Sequence, residues 1–257
     1  MILRRVVPAA GGALDTDAPD ARPTLLDWYA PHDPEHLRLN LVATLDGRAA
    51  GSDGTSESLT SRTDRMILGV IRQLADVVLV GAESVRREGY VRPRRAALAI
   101  VTASGDLTGH RLDEQRPNQK LADPQRQTAA ADDATALPPV IVLTTATGAE
   151  RATTGMPGAA LLILPTAHDG RIPPSEIVSV LRTQGYRGIA AEGGPSLAAQ
   201  LLTANAVDEL CLTVIPRLGG PALPLLGAHA LSATSATARQ LLIDEAGVTY
   251  GRWSLRP

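Results

Sequence analysis

The stretch at residues 188–197 reads GIAAEGGPSL, and it decides the class of fold. Its four small or apolar residues predict a short buried strand, and Glu192 stands where that strand ends. The glycines at 193 and 194 then allow a tight turn in which the backbone can come close to a ligand. Pro195 suits the first turn of a helix, where its missing N–H costs nothing. The stretch therefore predicts a strand, a turn and a helix of an α/β protein.

The start of this helix is also a candidate phosphate site. The N–H groups of a first helical turn lack partners within the helix, and they attract anions. Turns at the carboxyl ends of parallel strands are where open α/β sheets bind nucleotides. Short glycine turns are common, so the stretch fits a plain strand-to-helix connection equally well.

Other segments continue the alternation of strands and helices. Apolar runs predict strands at residues 37–44, 76–81, 96–102, 139–145, 159–164 and 207–215. Helical spacing predicts helices that begin near Ser61 and near Ser175, and residues 241–243 and 248–255 predict a C-terminal antiparallel pair. We therefore expect an α/β fold with a mostly parallel central sheet and helices on both faces.

The 257 residues suit one large α/β domain or two small ones, and no internal repeat divides them. Residues 1–34 are rich in Ala, Asp, Pro and Gly, which predicts an irregular N-terminal arm. The polar residues 104–138 predict a long insertion or a mobile loop. We therefore predict a single domain at residues 35–257 that carries this insertion.

The composition narrows the class of protein. Hydrophobic residues make up 44% and charged residues 20%, as in soluble globular proteins, and a net charge of −2 gives no basic surface for nucleic acid. No apolar run approaches the roughly 20 residues of a membrane span. Pro8 and Gly11 interrupt any apolar core of a signal peptide, so we expect a cytoplasmic protein without membrane or nucleic-acid partners.

The single cysteine, Cys211, lies inside the apolar run at residues 209–215. This position predicts a packed core thiol rather than a nucleophile. One cysteine also excludes an intrachain disulfide and a cysteine-based zinc site, and the five histidines lack the spacing of metal ligands. We therefore predict no metal site.

Charged residues near the predicted sheet edge are candidates for ligand binding and proton transfer. Arg65 and Arg72 are seven residues apart and therefore near the same helix face, where they form either a solvated surface or an anion site. Glu88 and Glu192 both follow strands, so they should lie near the same mouth of the sheet. Two such carboxylates suit proton transfer or binding of donor groups on a heterocycle or sugar, unless each is a solvated loop residue.

A second glycine turn follows another strand, at Gly81 in the sequence GAESV. Two such turns on one sheet fit a dinucleotide better than a single phosphate, although neither is a G-x-G-x-x-G fingerprint. The residues alone thus indicate an α/β enzyme that binds a nucleotide or a phosphosugar.

Three segments in this order and spacing carry a closer resemblance: LNLVATLDGR at residues 39–48, DVVLVGAESV at 76–85, and EGGPSL at 192–197 followed by VDEL at 207–210. Together they resemble the reductase half of the bacterial riboflavin-biosynthesis deaminase–reductase, from about Leu37 to the C-terminus. The resemblance implies a dihydrofolate-reductase-like fold, a homodimer and NADPH as cofactor. It also implies reduction of 5-amino-6-(5-phosphoribosylamino)uracil to its ribitylamino product, with hydride passing to C1′ of the opened, imine-like sugar.

The resemblance, together with the two glycine turns, also implies the site residues. Cofactor contacts fall at Ala43, Ser58, Gly81, Ser84, Glu88, Ser104, Gly193, Gly194, Pro195, Ser196, Leu197 and on to Gln200. Substrate contacts fall at Asn40, Ser56, Asp64, Arg72, Arg95 and Glu192. Glu88 and Glu192 are the candidate catalytic residues, Arg72 is the expected phosphate clamp, and Arg65 keeps its surface assignment.

Two positions depart from the family, and they leave other functions open. Asn40 replaces a common lysine, so a lysine-based role is absent, and Glu88 replaces an aspartate. No H-x-E with a downstream P-C-x-x-C occurs, so the zinc deaminase half is absent as well. The alternatives are a dihydrofolate reductase-like or diaminopyrimidine reductase, or a nucleotide-binding protein without catalysis.

Overall fold

The computed structural model describes residues 1–8, 12–88, 90–112 and 137–256. The strands among them are β1 Ile2–Val7, β2 Ala13–Asp15, β3 His36–Thr44, β4 Val77–Gly81, β5 Ala97–Thr102, β6 Val140–Thr144, β7 Ala160–Ile163, β8 Gly188–Ala191, β9 Glu209–Ile215, β10 Thr237–Asp244 and β11 Thr249–Ser254. The helices are α1 Ala21–Trp28, α2 Arg62–Gln73, α3 Ala82–Arg87, α4 Ala149–Gly155, α5 Pro174–Thr183 and α6 Pro195–Thr203, with a 3-10 turn at Glu57–Leu59.

All eleven of these strands form one sheet, in the order β2-β1-β10-β11-β9-β3-β8-β4-β5-β6-β7. The pairs from β9 to β7 are parallel, and the pairs from β2 to β9 are antiparallel. The predicted α/β class, the mostly parallel centre and the C-terminal antiparallel pair β10–β11 are therefore confirmed.

Helices cover both faces of the sheet, as predicted. Because side chains alternate along a strand, β4 sends Val78 and Val80 to one core and Val77 and Leu79 to the other. The first core packs against α1, α2, α3 and α4, and the second packs against α5 and α6. Two buried faces explain why the parallel strands read as continuous apolar runs.

The prediction of an irregular arm at residues 1–34 is wrong, because this segment forms β1, β2 and α1. β1 pairs with β10, with Leu3 opposite Asp244, and Leu3 and Leu25 are fully buried. A strand of this kind is stabilised by a partner more than two hundred residues away. The local composition contains no information about so distant a partner. The prolines and glycines of this segment therefore indicated irregular structure.

Buried arginines from the main sheet hold the end of α1. Arg38 Nη2 donates to the Tyr29 carbonyl at 2.9 Å, and Arg252 donates to the carbonyls of Trp28 and Ala30. The last carbonyls of a helix have no partner within it, and cations there also suit the helix dipole. These contacts dock the N-terminal segment onto the sheet.

The predicted insertion at residues 104–138 falls largely on residues 113–136, which lie outside the described residues. The single domain at residues 35–257 stays a prediction. Helix α4 was not predicted from the sequence. No helix in the described parts of the chain has the length and apolar character needed to cross a membrane.

Cys211 lies buried in β9, as the sequence predicted for a core thiol. Burial raises the pKa of this thiol to about 12, and the positive charge of Arg38 only partly opposes the shift. The thiol therefore stays protonated at neutral pH and is a poor nucleophile.

Candidate active site

The two predicted glycine turns lie side by side at the carboxyl edge of the sheet. The Gly81 amide donates to the Gly193 carbonyl at 3.3 Å, which joins the turn after β4 to the turn after β8. Gly193 and Gly194 have φ angles of +88° and +73°, a region that favours glycine. A Cβ built on Gly194 would lie 3.0 Å from Ser84 Oγ. Glycine at 194 therefore keeps the space between the two turns open.

Helix α6 begins at Pro195 with Gly194 as its N-cap, as the sequence predicted. The first bond within this helix runs from the Ala198 amide to the Gly194 carbonyl, so the amides of Ser196 and Leu197 precede it. Ser196 itself is exposed. Because this helix start adjoins the glycine turns, it is suited to a phosphate group of a ligand.

Glu192 and Arg72 form a bidentate ion pair directly before the glycine turn. Arg72 Nε lies 2.6 Å from Glu192 Oε1, and Arg72 Nη2 lies 2.6 Å from Oε2. The Tyr90 hydroxyl also donates to Oε2, and the guanidinium carbon of Arg72 lies 5.0 Å from the centre of the Tyr90 ring. Arg72 Nη1 donates to the Val91 carbonyl at 3.3 Å. The Glu192 carboxylate thus accepts hydrogen bonds from Arg72 of α2 and from Tyr90 of the loop after α3.

This cluster is well shielded from solvent, since the side chains of Arg72 and Glu192 are 18% and 6% exposed. Burial alone would lower the pKa of Arg72, but the charge of Glu192 raises it above its usual value, so the guanidinium stays charged. Burial raises the pKa of Tyr90 well above its usual range, so the phenol keeps its proton and acts as a donor. The cluster is therefore an ion pair with a neutral hydroxyl donor.

The second candidate carboxyl, Glu88, directly follows α3 and is half-buried. Ser56 Oγ donates to Glu88 Oε2 at 2.8 Å. Burial raises the pKa of Glu88, and the negative charges of Glu57, Asp53 and Glu192 raise it further. A carboxyl group with a raised pKa at the mouth of a sheet is a candidate for proton transfer.

Asn40 reaches the same edge through strand register. Leu39 of β3 pairs with Ala191, the last residue of β8, so Asn40 lies level with Glu192, which directly follows β8. Asn40 is half-buried. A residue with a neutral side chain therefore occupies the strand position level with Glu192.

Other predicted site residues have contacts elsewhere. Asp64 is buried in the first turn of α2, where Thr213 Oγ1 donates to its carboxylate at 2.7 Å. Ser58 Oγ donates to Asp53, and Ser104 Oγ accepts from the Asp106 amide. Ala43 is buried in β3, and Arg95 is exposed before β5. The ligand contacts expected for these residues stay predictions.

Arg65 is exposed, as predicted, and its Nη2 lies 3.3 Å from Oε1 of the exposed Glu57. Tyr90, by contrast, is central to the cluster and was missed from the sequence. An aromatic residue inside a polar loop was the available signal, because a buried tyrosine hydroxyl usually needs a partner.

The family model described as RibD C-terminal domain matches residues 35–246 of the chain. The riboflavin biosynthesis protein RibD of Escherichia coli is 27% identical over 195 residues, which cover 72% of this chain and 49% of the relative. RibD of Mycobacterium tuberculosis is 28% identical over 188 residues, covering 72% and 44%. The chain spans about half the length of the curated relatives it matches.

Solved structures share the fold. A pyrimidine reductase-like protein from Corynebacterium diphtheriae aligns with a TM-score of 0.70 at 22% identity, covering 91% of this chain and 99% of that one. A bifunctional diaminohydroxyphosphoribosylaminopyrimidine deaminase and 5-amino-6-(5-phosphoribosylamino)uracil reductase from Thermotoga maritima aligns with a TM-score of 0.65 at 17% identity, covering 86% and 56%. At these identities the likeness extends to the fold alone.

Proposed function

We propose that this chain, which belongs to the RibD C-terminal domain family, is a pyrimidine reductase of riboflavin biosynthesis. Its reaction would be the NADPH-dependent conversion of 5-amino-6-(5-phosphoribosylamino)uracil to the ribitylamino product. The observation that carries the proposal is the Arg72–Glu192 pair, which stands one residue before the two-glycine turn. This arrangement would bring a polar substrate group and a cofactor phosphate to one edge of the sheet.

The glycine turns fit NADPH. A side chain at Gly194 would fill the space beside Ser84, and the α6 amides behind it suit a pyrophosphate. Gly81, Ser84, Gly193 and Gly194 would therefore hold the cofactor, which supplies a hydride when bound. The protein would orient the two reactants and exclude water.

The substrate would meet charged side chains of both signs. Glu192 offers carboxylate oxygens to N–H or O–H donors of the pyrimidine or the opened sugar. Arg72 has five N–H groups, and three of them are used within the protein. The remaining two N–H groups of Arg72 and the exposed guanidinium of Arg95 would bind the substrate phosphate.

Reduction of an imine consumes a proton as well as a hydride. Asn40 is uncharged and cannot supply that proton in place of a lysine. Glu88 has a raised pKa and belongs to the same sheet edge, so we assign it as the proton donor. By family resemblance, the active form would be a homodimer in the cytoplasm.

Consumption of NADPH by the purified protein tests this function. The phosphoribosylaminouracil, its undeaminated diaminopyrimidine counterpart and dihydrofolate are offered separately, and we expect oxidation with the first. Oxidation of NADPH with the diaminopyrimidine alone would identify that compound as the substrate, an alternative favoured by Asn40. Binding of NADPH without turnover of any of the three would favour a non-catalytic nucleotide-binding protein.

A further inference from the structure

Tyr90 is the buried residue of the site that neither turn nor strand pattern predicted. It lies in the loop between α3 and β5, next to polar and charged residues, yet its side chain is withdrawn from solvent. Its hydroxyl donates to Glu192 Oε2, and its ring stacks on the guanidinium of Arg72. One side chain therefore contacts both members of the ion pair.

We infer that Tyr90 is a positioning residue that fixes the orientation of the Glu192 carboxylate toward the substrate. This role deepens the proposed function and rests on it for the identity of the substrate. Tyr90 acts on Glu192 through its hydroxyl and on Arg72 through its ring.

Two different elements of the structure orient the Glu192 carboxylate. A bidentate guanidinium holds a carboxylate in one plane, but the pair as a whole can still shift along the flexible arginine side chain. The Tyr90 hydroxyl approaches one oxygen from a different element of the structure, and it stays protonated because burial raises its pKa. Contacts from α2 and from the loop therefore hold the Glu192 carboxylate from two directions.

The loop that carries Tyr90 also holds Arg72. Its Nη1 donates to the carbonyl of Val91, the residue after Tyr90. The ring of Tyr90 covers the face of the guanidinium at 5.0 Å, a geometry of cation–π attraction. The loop at residues 90–91 thus contacts both the edge and the face of the Arg72 guanidinium. A movement of this loop would therefore disturb the ion pair.

A fixed Glu192 carboxylate favours substrate binding. An acceptor that is already oriented binds a donor without first losing side-chain freedom, so its hydrogen bond to the substrate is stronger. Loss of the hydroxyl would leave the charge of Glu192 in place but its direction less defined. The expected consequence is weaker binding of the pyrimidine substrate, with unchanged binding of NADPH.

Tyr90→Phe tests the role, because it removes the hydroxyl and keeps the ring on Arg72. We expect the KM for the phosphoribosylaminouracil to rise about tenfold, because Glu192 would then lose side-chain freedom when the substrate binds. The dissociation constant of NADPH should stay unchanged. An unchanged KM would overturn the role, as would an equal weakening of NADPH binding.

Tyr250→Phe is the matched control. Tyr250 is also buried, and its hydroxyl donates to the Asp244 carboxylate at 2.9 Å and lies 3.2 Å from Ser61 Oγ at the start of α2. Both variants should lower the melting temperature by a similar small amount, and only Tyr90→Phe should raise the KM. A rise in KM of the same size in Tyr250→Phe would mean that general loss of stability explains the effect, and would overturn the role.

Crystal structures of the wild type and of Tyr90→Phe separate this inference from the proposed function. A displaced or doubled Glu192 carboxylate in the variant supports positioning even if the wild type fails to turn over the uracil substrate. An unmoved carboxylate contradicts positioning even if turnover is normal. Failure of wild-type turnover alone counts against the proposed function only.

Discussion

At the residue scale, Arg72 illustrates how a contact changes the interpretation of a side chain. The family resemblance implies that Arg72 clamps the substrate phosphate, whereas helical spacing alone left open a solvated surface residue or part of an anion site. In the structure it is mostly buried and donates twice to Glu192. Removing one partner of such a pair leaves an uncompensated buried charge, so Arg72 supports the fold of the site as well as any ligand.

Asp64 is a second residue whose surroundings matter more than its position in the sequence. Ser61 caps α2 by accepting from the Asp64 amide, so Asp64 is the third residue of the helix, where an acidic side chain often folds back onto the cap. Its carboxyl group instead accepts from Thr213 of β9. Burial raises its pKa to about 6, which the hydrogen bond from Thr213 only partly offsets.

This raised pKa predicts a pH dependence of stability. Between about pH 4 and pH 6 the folded protein holds the Asp64 proton more tightly than the unfolded chain, so the contribution of Asp64 to stability falls as pH rises through that window. Asp64→Asn keeps an acceptor for Thr213 and removes the ionisation. We expect it to raise the free energy of unfolding at pH 7 by about 2 kcal/mol and to change little at pH 4.

Urea unfolding at both pH values measures this effect. Asp169→Asn is the control, because Asp169 is exposed and its replacement should change stability little at either pH. Equal stability of the wild type and Asp64→Asn at pH 7 would contradict the account of Asp64.

At the element scale, the strand–turn–helix unit of β8 and α6 could be predicted closely. Small apolar residues, paired glycines and a proline each constrain the backbone locally, so the sequence shows where the strand ends and the helix begins. The neighbouring turn at Gly81 was predicted for the same reason. Their contact with each other follows from the parallel order of β4 and β8.

Gly194→Ala tests whether this turn must stay open for the cofactor. The substitution places a side chain in a left-handed backbone conformation and 3.0 Å from Ser84 Oγ. We expect a loss of about 1 kcal/mol of stability and at least a roughly tenfold weaker binding of NADPH. Fluorescence titration of NADPH measures the second effect.

Gly185→Ala provides a matched control at the other end of β8. Gly185 also has a positive φ, of +90°, but a Cβ there would meet nothing within 4 Å. It should lose similar stability and keep the NADPH affinity of the wild type. If both variants bind NADPH alike, the turn after β8 is not the cofactor site.

The N-terminal elements could not be predicted in this way. β1 and β2 are short, and the hydrogen bonds that stabilise β1 come partly from β10 at the far end of the chain. The chain at the end of helix α1 is held by Arg38 of β3 and Arg252 of β11, which donate to the carbonyls of Tyr29 and Ala30. Local spacing carries no information about such partners.

At the scale of the whole molecule, an ion cluster ties these elements together. Glu209 of β9 pairs with Arg38 of β3 at 3.0 Å and with Arg252 of β11 at 2.8 Å. Burial alone would raise the pKa of Glu209, but the two arginines lower it to about 2. The cluster lies where the parallel and antiparallel parts of the sheet meet, beneath the end of α1.

Arg252→Met should therefore loosen the N-terminal segment. Methionine fills much of the volume but leaves the carbonyls of Trp28 and Ala30 without their donor. We expect the free energy of unfolding to fall by about 3 kcal/mol, and limited proteolysis to cleave within residues 1–34. The exposed Arg239 of β10 offers a control. Arg239→Met should leave the free energy of unfolding and the resistance to protease unchanged. Equal resistance to protease in the two variants would contradict the role of the cluster.

The candidate site could be predicted where a local sequence pattern places a residue. It could not be predicted where side chains distant in sequence come into contact. The sequence indicated Glu88, Glu192 and the glycine turns, because each follows a strand of recognisable pattern. It could not indicate that Tyr90 would join Glu192, because that contact depends on the path of a loop. Long-range hydrogen bonds of this kind emerge only from the folded chain.

We propose that this chain passes a hydride from NADPH to the sugar of a phosphorylated pyrimidine. NADPH carrying deuterium at C4 of the nicotinamide, prepared as each of the two isomers, tests it directly with 5-amino-6-(5-phosphoribosylamino)uracil. We predict that one isomer gives a ribitylamino product with a single deuterium at C1′, identified by mass spectrometry and NMR. A protein that binds NADPH but yields no product labelled at C1′ with either isomer would contradict the claim.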